Sequence, residues 1–168
     1  MKIYGLLSGF APVRQDASRI VISFDLQRVD DEHCTWHEVC FYKKQNPSLS
    51  NEQIKATIIA YINDCINKNI TEGFVWNGIK VPLSMTDQAN YKRVLDLASQ
   101  TKSANLPCDF WFGTSDEPVK QTFENVADLR QFWLAADAHI NKCIAEGKEF
   151  KASFDWSPYE IQKPNDHD

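Results

Sequence analysis

The stretch Gly73–Asn90, GFVWNGIKVPLSMTDQAN, decides the fold because it contains a helix end, a tight turn, a strand and a helix start. Gly73 is predicted to end a helix in the left-handed conformation, which glycine adopts without a Cβ clash. Asn77-Gly78 is the commonest pair for a two-residue type I′ turn, and apolar residues flank it. Ser84 is placed to cap the next helix, with Asp87 three residues later. All of these signals concern folding, and none indicates a chemical activity.

Two further hairpins are predicted on either side of this stretch. Residues 18–27, SRIVISFDLQ, alternate apolar and polar side chains, which predicts a half-buried strand, and residues 34–43 predict its partner. Residues Lys2–Leu7 predict an edge strand followed by a loop. Leu106–Phe112 and Val119–Phe123 predict the third hairpin. The inner face of the 18–27 strand is expected to carry Ile20, Ile22, Phe24 and Leu26.

A break at Asn46-Pro47-Ser48 separates the first hairpin from the first predicted helix. Ser50 opens that helix as its N-cap, and Gln53 is placed to complete a capping box. The break predicts an N-terminal β-hairpin arm over residues 1–47 and an α+β domain with an aromatic C-terminal tail over residues 48–168. The alternative is that both form one compact unit.

The second and third helices complete the predicted architecture. Met85–Ser99 and Val126–Glu146 repeat apolar residues at helical spacing; Asn125 caps the third helix and Gly147 is predicted to end it. Two-residue turns cannot join parallel strands. The sequence therefore predicts an α+β fold in which three antiparallel β-hairpins are interleaved with three α-helices.

The composition favours a globular protein that binds neither nucleic acid nor membranes. Among 168 residues, 43% are hydrophobic and 12% aromatic, which suffices for a core. The net charge of -5 argues against sequence-independent nucleic-acid binding, and Lys43-Lys44 is the only adjacent basic pair. No signal-peptide pattern and no run of ~20 apolar residues is present. Five scattered cysteines predict free thiols in a reducing cytoplasm.

One cluster, His33-Cys34-x-x-His37-x-x-Cys40, has the residue types of a zinc site. Side chains alternate along a strand, so the two cysteines are expected on one face and the two histidines on the other. No second Cys/His pair is available elsewhere to complete a tetrahedral site. The sequence therefore favours a plain strand and predicts no metal and no cofactor.

Other catalytic patterns are equally weak. His139 and Cys143 are spaced to touch on one helix, but nothing in the sequence indicates an activating environment. The acidic groups Asp30-Asp31-Glu32 and Asp116-Glu117 fall in predicted turns, where Asp is favoured for its backbone hydrogen bonds. Neither a G-x-S-x-G elbow nor a phosphate-binding glycine loop occurs. We expect a protein that is not an enzyme.

Aromatic residues provide the candidate partner-binding positions. Some belong to the first hairpin, and the others follow the third predicted helix without obvious periodicity. The tail residues either fold back onto the domain, which is the favoured alternative, or dock onto a partner. The candidates are Trp36, Phe41, Phe150, Phe154, Trp156 and Tyr159.

Several short motifs along the chain form a recognisable set. They are Gly73-Phe74, Trp76-Asn77-Gly78, Val81-Pro82-Leu83-Ser84, Gln88, Asn90, Pro107 and Gly147. Taken together, these positions resemble a small domain of unknown function that recurs in tailed bacteriophages and prophages, often near tail-fibre genes. The N-terminal segments SRIVISFDL and EHCTWHEVCFYKK look like the arm of Bacteroidales-phage members.

The resemblance implies a shared fold, and it carries over no catalytic residue. Gln88 and Asn90 are either a binding pair or partners for free backbone groups near a helix start. The resemblance further implies a non-enzymatic structural protein of the virion tail or tail-fibre region, present in the host cytoplasm during assembly. Its partners would be other virion proteins, with self-association as a further option. The alternative is a tail or tail-fibre assembly chaperone that is absent from the mature particle.

Overall fold

The structure, a computed structural model, describes residues 1–45 and 49–160. Within these residues the chain forms eight β-strands and three α-helices, and all paired strands are antiparallel. The elements are β1 Lys2–Leu6, β2 Val13–Gln15, β3 Arg19–Arg28, β4 His33–Tyr42, α1 Asn51–Glu72, β5 Val75–Trp76, β6 Ile79–Lys80, α2 Met85–Gln100, β7 Cys108–Gly113, β8 Pro118–Phe123 and α3 Val126–Ser153. The predicted α+β fold is confirmed, since the hairpins β3–β4, β5–β6 and β7–β8 alternate with the helices.

The chain divides into two compact units. Unit 1 comprises Met1–Tyr61 and Ser153–Asp168, and unit 2 comprises Ile62–Ala152. The break predicted at Asn46–Ser48, and with it the arm boundary after residue 47, lies outside the described residues.

Unit 1 contains a four-stranded sheet, counted within the described residues, in the order β1-β4-β3-β2. The edge strand predicted near the N-terminus is confirmed as β1, which pairs with β4. The strand β2 was expected to be loop; it pairs with β3, with Val13 opposite Ile22. Three residues are too few to show an alternating pattern, so this strand is recognisable only from its pairing.

The prediction of a half-buried β3 is wrong for the first part of the strand. Residues 20–24 are all buried, so both faces are covered there. Further along, Asp25 has a φ of 58° and the register with β4 shifts between Phe24 and Gln27. This irregularity breaks the alternation of side chains and leaves Leu26, predicted to face inward, exposed.

The predicted helix caps are confirmed. Ser50 donates its N–H to Gln53 Oε1 at 2.8 Å and its Oγ accepts the Gln53 N–H at 3.3 Å. Ser84 and Asp87 form the same reciprocal arrangement at the start of α2. Asn125 Oδ1 accepts the N–H of residue 128 at 3.0 Å. Each cap satisfies backbone N–H groups that the first turn of a helix leaves unpaired.

The two conformational predictions around the β5–β6 turn have different outcomes. Asn77 and Gly78 have φ values of 50° and 81°, which confirms the type I′ turn. Gly73 does end α1, but the prediction of a left-handed conformation there is wrong, because its φ is not positive. A Cβ on Gly73 would lie 2.4 Å from the carbonyl oxygen of Asn69, so glycine is required for space.

Gly147 was predicted to end the third helix, and this is wrong. Helix α3 continues to Ser153, and Gly147 is buried within it. A Cβ at this position would lie 2.1 Å from Ile66 Cδ1 on α1. Glycine is needed here because the two helices approach closely, and the residues after it, including Phe150, remain helical.

The core of unit 2 is centred on Phe132, which is fully buried on α3. Its ring lies against six other aromatic rings, with centroid distances from 5.2 to 6.3 Å. These rings belong to Phe74, Trp76, Tyr91, Phe110, Phe112 and Phe123. The hairpins β5–β6 and β7–β8 and the helices α2 and α3 are thus held by one aromatic cluster.

Candidate interaction surfaces

Trp36 belongs to the interior of unit 1. Its side chain is buried, its Nε1 donates to Glu38 Oε1 at 2.8 Å, and Phe10 packs edge-on at 6.0 Å between centroids. Gly5 lies beneath the ring, where a Cβ would come within 2.8 Å of Trp36 Cη2. Phe41, opposite Ile20 in the β3–β4 hairpin, is partly buried. A partner contact by either aromatic residue stays a prediction, and the burial of Trp36 leaves little of its ring for one.

The tail aromatics of unit 1 fold back onto that unit. Phe154 lies 4.5 Å from Trp156 and 5.6 Å from Tyr159 between ring centroids. The Tyr159 hydroxyl donates to the carbonyl oxygen of Ser23 at 3.1 Å. Lys55 places its Nζ 5.2 Å from the Trp156 ring centroid. Burial, with a smaller effect of a neighbouring carboxylate, raises the pKa of Tyr159 to about 12.

Phe150 differs from the other tail aromatics because it lies on α3 within unit 2, and 50% of its side chain is exposed. Phe150 and the partly buried Phe154 and Trp156 therefore keep surface that a partner can contact. Binding by these residues stays a prediction.

The candidate zinc ligands of β4 have separate environments. Cys34 is buried with its Sγ 3.7 Å from the carbonyl oxygen of Gly5. His33 Nδ1 lies 2.9 Å from Asp30 Oδ1, whereas His37 packs against the Tyr61 ring at 4.6 Å. Burial lowers the pKa of His37. Within residues 1–45 and 49–160, no three His, Cys, Asp or Glu side chains form a group able to hold a metal ion.

Cys143 and His139 touch, but their hydrogen bonds oppose nucleophilic catalysis. The distance from Cys143 Sγ to His139 Nε2 is 3.6 Å, and the same nitrogen lies 3.0 Å from the carbonyl oxygen of Asn69. A carbonyl oxygen only accepts, so Nε2 must carry a proton and cannot take one from the thiol. Burial, together with the charge of Glu146, raises the pKa of Cys143. The pair instead links α3 to the end of α1.

Two of the acidic and amide candidates, Asp30 and Gln88, form hydrogen bonds with the backbone. The carboxylate of Asp30 accepts the N–H groups of Glu32 and His33 at 2.9 and 2.7 Å, which holds its pKa below the usual value. Gln88 donates its side-chain amide to the carbonyl oxygen of Leu83 at 2.8 Å. Asn90 is exposed on α2. Asp30 and Gln88 thus have structural partners that account for their positions.

A cleft of about 290 Å³ in unit 2 is lined by the β5–β6 turn, β8 and the start of α3. Its lining includes Trp76, Asn77 and the carboxylate of Asp128. That carboxylate accepts a hydrogen bond from Asn125 Nδ2 at 2.8 Å. The acidic group of the cleft is therefore already part of a helix cap.

The most exposed tryptophan, Trp111, was not among the candidates predicted from the sequence. Trp111 on β7 is 61% exposed, because its neighbours Phe110 and Phe112 point into the core of unit 2. Beside it on the outer face, Asp109 Oδ2 pairs with Lys120 Nζ at 2.7 Å. This ion pair, with a hydrogen bond from a threonine hydroxyl, lowers the pKa of Asp109. The signal was the alternation itself: once two phenylalanines face inward, the residue between them must face outward.

Residues 53–162 match the family described as Domain of unknown function (DUF4376). The chain belongs to this family. The match spans all of unit 2, and the strands β1 to β4 precede it. No curated protein and no solved structure matches the chain. Among the described residues, none of the helices has the length and apolar character needed to cross a bilayer.

Membership of DUF4376 confirms the coarse part of the resemblance, which is a domain of unknown function, and the structure confirms that the fold is α+β. The bacteriophage origin and the tail-fibre context stay predictions.

Proposed function

We propose that this member of DUF4376 is a non-enzymatic structural protein of a bacteriophage virion, placed in the tail or tail-fibre region. It acts through contacts with other virion proteins. The observation that carries the proposal is the outward-facing Trp111, which lies beside the Asp109–Lys120 ion pair on the same strand face. Three of the candidate catalytic residues support it indirectly, because His139, Cys143 and Asp30 are engaged in contacts that hold helices and turns together.

The outer face of β7–β8 has the properties of a contact surface. An indole is large and loses little conformational entropy when it is buried at an interface, and tryptophan is enriched among residues that dominate binding energy. The adjacent Asp109–Lys120 pair supplies charged groups around the ring. This arrangement matches the general pattern of an aromatic anchor with a polar rim. The proposed occupant is a neighbouring protein of the particle.

Quantitative mass spectrometry of purified particles, from the phage or induced prophage that encodes the chain, tests the proposal. Recovery at a fixed ratio to the capsid protein is the expected result. Absence from particles, with abundance in the lysate, would overturn the virion assignment and leave the assembly chaperone as the explanation.

A pair of variants tests the contact surface in the same preparation. Trp111→Ala is expected to lower the copy number per particle, because the anchor is removed without disturbing the core. Leu134→Ala is the matched control, since Leu134 lies on α3 and is 60% exposed. Equal incorporation of both variants at the wild-type level would show that the Trp111 face is not the contact.

A further inference from the structure

The strand β1 presents an unpaired edge of the sheet of unit 1. Met1 and Glu38 exchange both backbone hydrogen bonds, and Leu7 donates its N–H to the carbonyl oxygen of Glu32 at 2.7 Å. Hydrogen-bonding residues alternate along an antiparallel strand. Residues 3 and 5 therefore face β4 with their backbone groups, and residues 2, 4 and 6 direct theirs away from it.

These outward groups have no backbone partner within residues 1–45 and 49–160. The side chains of the same residues are also accessible, since Tyr4 is 62% and Leu6 is 52% exposed. The Tyr4 ring is held in place by stacking on His33 at 5.5 Å between centroids. The edge lacks proline and a bulge, two devices that proteins commonly use to block edge pairing.

The edge is complementary to itself. If two copies meet in antiparallel orientation about a twofold axis at Tyr4, the outward residues pair completely: Tyr4 lies opposite its equivalent, and Lys2 lies opposite Leu6. Each of the three residue pairs then exchanges two backbone hydrogen bonds. Moving the axis by one residue to Gly5 would leave Lys2 without a partner, so the register at Tyr4 is the favourable one.

Charge supports the same orientation. One end of β1 carries Lys2, and the other end adjoins the acidic turn Asp30-Asp31-Glu32, because Leu7 pairs with Glu32. Antiparallel pairing brings each Lys2 to within about two strand spacings, roughly 10 Å, of the partner's acidic turn. A parallel arrangement would instead place the two lysines together and the two acidic turns together. A second copy of this chain therefore complements the edge in hydrogen bonding and charge.

We propose that two copies of the chain dimerise through β1 in this register and join their sheets into one continuous sheet. This inference does not depend on the virion assignment, because it rests only on the edge of unit 1. It adds the identity of a partner and the residues that contact it.

Sedimentation equilibrium of the purified full chain tests the dimer, with Tyr4→Pro as the decisive variant. Proline removes an outward N–H and not one bonded to β4, so the sheet of unit 1 is expected to survive, as circular dichroism would show. Wild-type protein should form dimers whose dissociation constant falls at low salt, and Tyr4→Pro should be monomeric. A monomeric wild type, or an unchanged dimer in a folded Tyr4→Pro variant, would overturn the proposal.

Disulfide trapping tests the register without weakening the edge. In a hydrogen-bonded antiparallel pair the Cα atoms are about 5.5 Å apart, which suits a disulfide. In a Cys40→Ser background, which removes the exposed thiol, Tyr4→Cys should form a covalent dimer on mild oxidation. Leu6→Cys is the matched control and should not, because its equivalents lie roughly 13 Å apart along the strands. Efficient trapping of the Leu6→Cys protein, or none of the Tyr4→Cys protein, would exclude this register.

Discussion

Units 1 and 2 build their interiors from different side chains. In unit 2, seven aromatic rings converge, with Phe132 at their centre. In unit 1, the interior is largely aliphatic and is built on β3, where Ile20, Val21 and Ile22 are buried on both faces of the sheet. Ser23, on the same strand, is the one polar residue among the described residues that is buried.

The two units also differ in how their contacts relate to the sequence. Unit 2 is one continuous segment, whereas unit 1 is completed by the returning tail, whose Tyr159 bonds to Ser23 across 136 positions. The match to DUF4376 spans unit 2 entirely and leaves out β1 to β4. The family match thus covers the unit that has the aromatic core, whereas the sheet strands β1 to β4 lie outside it.

The largest effect is expected from Phe132→Ala, which removes the centre of the aromatic cluster in unit 2. Loss of a fully buried phenylalanine costs about 3–5 kcal/mol, since burial is lost and a cavity remains. Urea denaturation measures the change in the free energy of unfolding. The exposed Leu134→Ala on the same helix is the control and should change it by no more than about 0.5 kcal/mol. Similar values for the two variants would contradict the central role of Phe132.

The second prediction concerns the close approach of α1 and α3 in unit 2. Gly147→Ala is expected to destabilise the protein by about 1–3 kcal/mol, because its Cβ collides with Ile66. In an Ile66→Ala background the space is open, and the same substitution should become neutral or stabilising, since alanine favours a helix interior more than glycine. A double-mutant cycle in urea measures this change of sign. Additive effects would show that Ile66 is not the obstacle.

A smaller effect is expected for the tail contact of unit 1. Tyr159→Phe removes the hydrogen bond to the Ser23 carbonyl and leaves that acceptor buried, at a cost of about 1 kcal/mol. Tyr42→Phe, at an exposed tyrosine of β4, should leave thermal stability unchanged. If both variants have the wild-type melting temperature, the tail does not stabilise unit 1 through this hydroxyl.

The last effect is absent at neutral pH and appears only in alkaline solution. The pKa of Tyr159 rises from 10.0 to about 12 on folding, and burial also raises the pKa of Tyr91 in unit 2. Above pH 10 the unfolded chain loses the phenolic proton while the folded chain keeps it. The contribution of Tyr159 to the free energy of unfolding is therefore fully present below pH 10 and is lost as the pH rises to about 12.

Wild-type protein should lose more of its free energy of unfolding over this pH range than Tyr159→Phe, as measured by urea denaturation at each pH. Tyr91→Phe provides the corresponding comparison for unit 2. Identical pH dependence in the wild type and both variants would show that neither buried phenol is linked to stability.

The parts of the fold that could be predicted are those specified by neighbouring residues. The caps at Ser50, Ser84 and Asn125 and the turn at Asn77-Gly78 each depend on a few adjacent positions. The errors arise where residues distant in the sequence determine the environment. The second face of β3 is covered by other segments, and Ile66 on another helix leaves no space for a side chain at Gly147. A glycine in a sequence indicates a requirement for space or for unusual backbone angles, and only the packing shows which one applies.

The candidate interaction surfaces divide in the same way, into positions specified by neighbouring residues and positions decided by distant contacts. Trp36 and Tyr159 were selected because they are aromatic, but the structure places both in the interior of unit 1. Trp111 could have been identified from strand alternation, since its position depends on its two neighbours. The outward edge of β1 could not, because the sequence does not show which side of that strand pairs with β4.

The exposure of Trp111 gives the protein a built-in optical signal. Indole fluorescence in water lies at longer wavelengths than in an apolar interior, and soluble quenchers reach an exposed ring by collision. Trp36 is shielded, whereas Trp111 meets the solvent. Any partner that covers the outer face of β7–β8 would shift this emission to shorter wavelengths and protect it from acrylamide. Binding at that face can therefore be titrated in solution with the unlabelled protein.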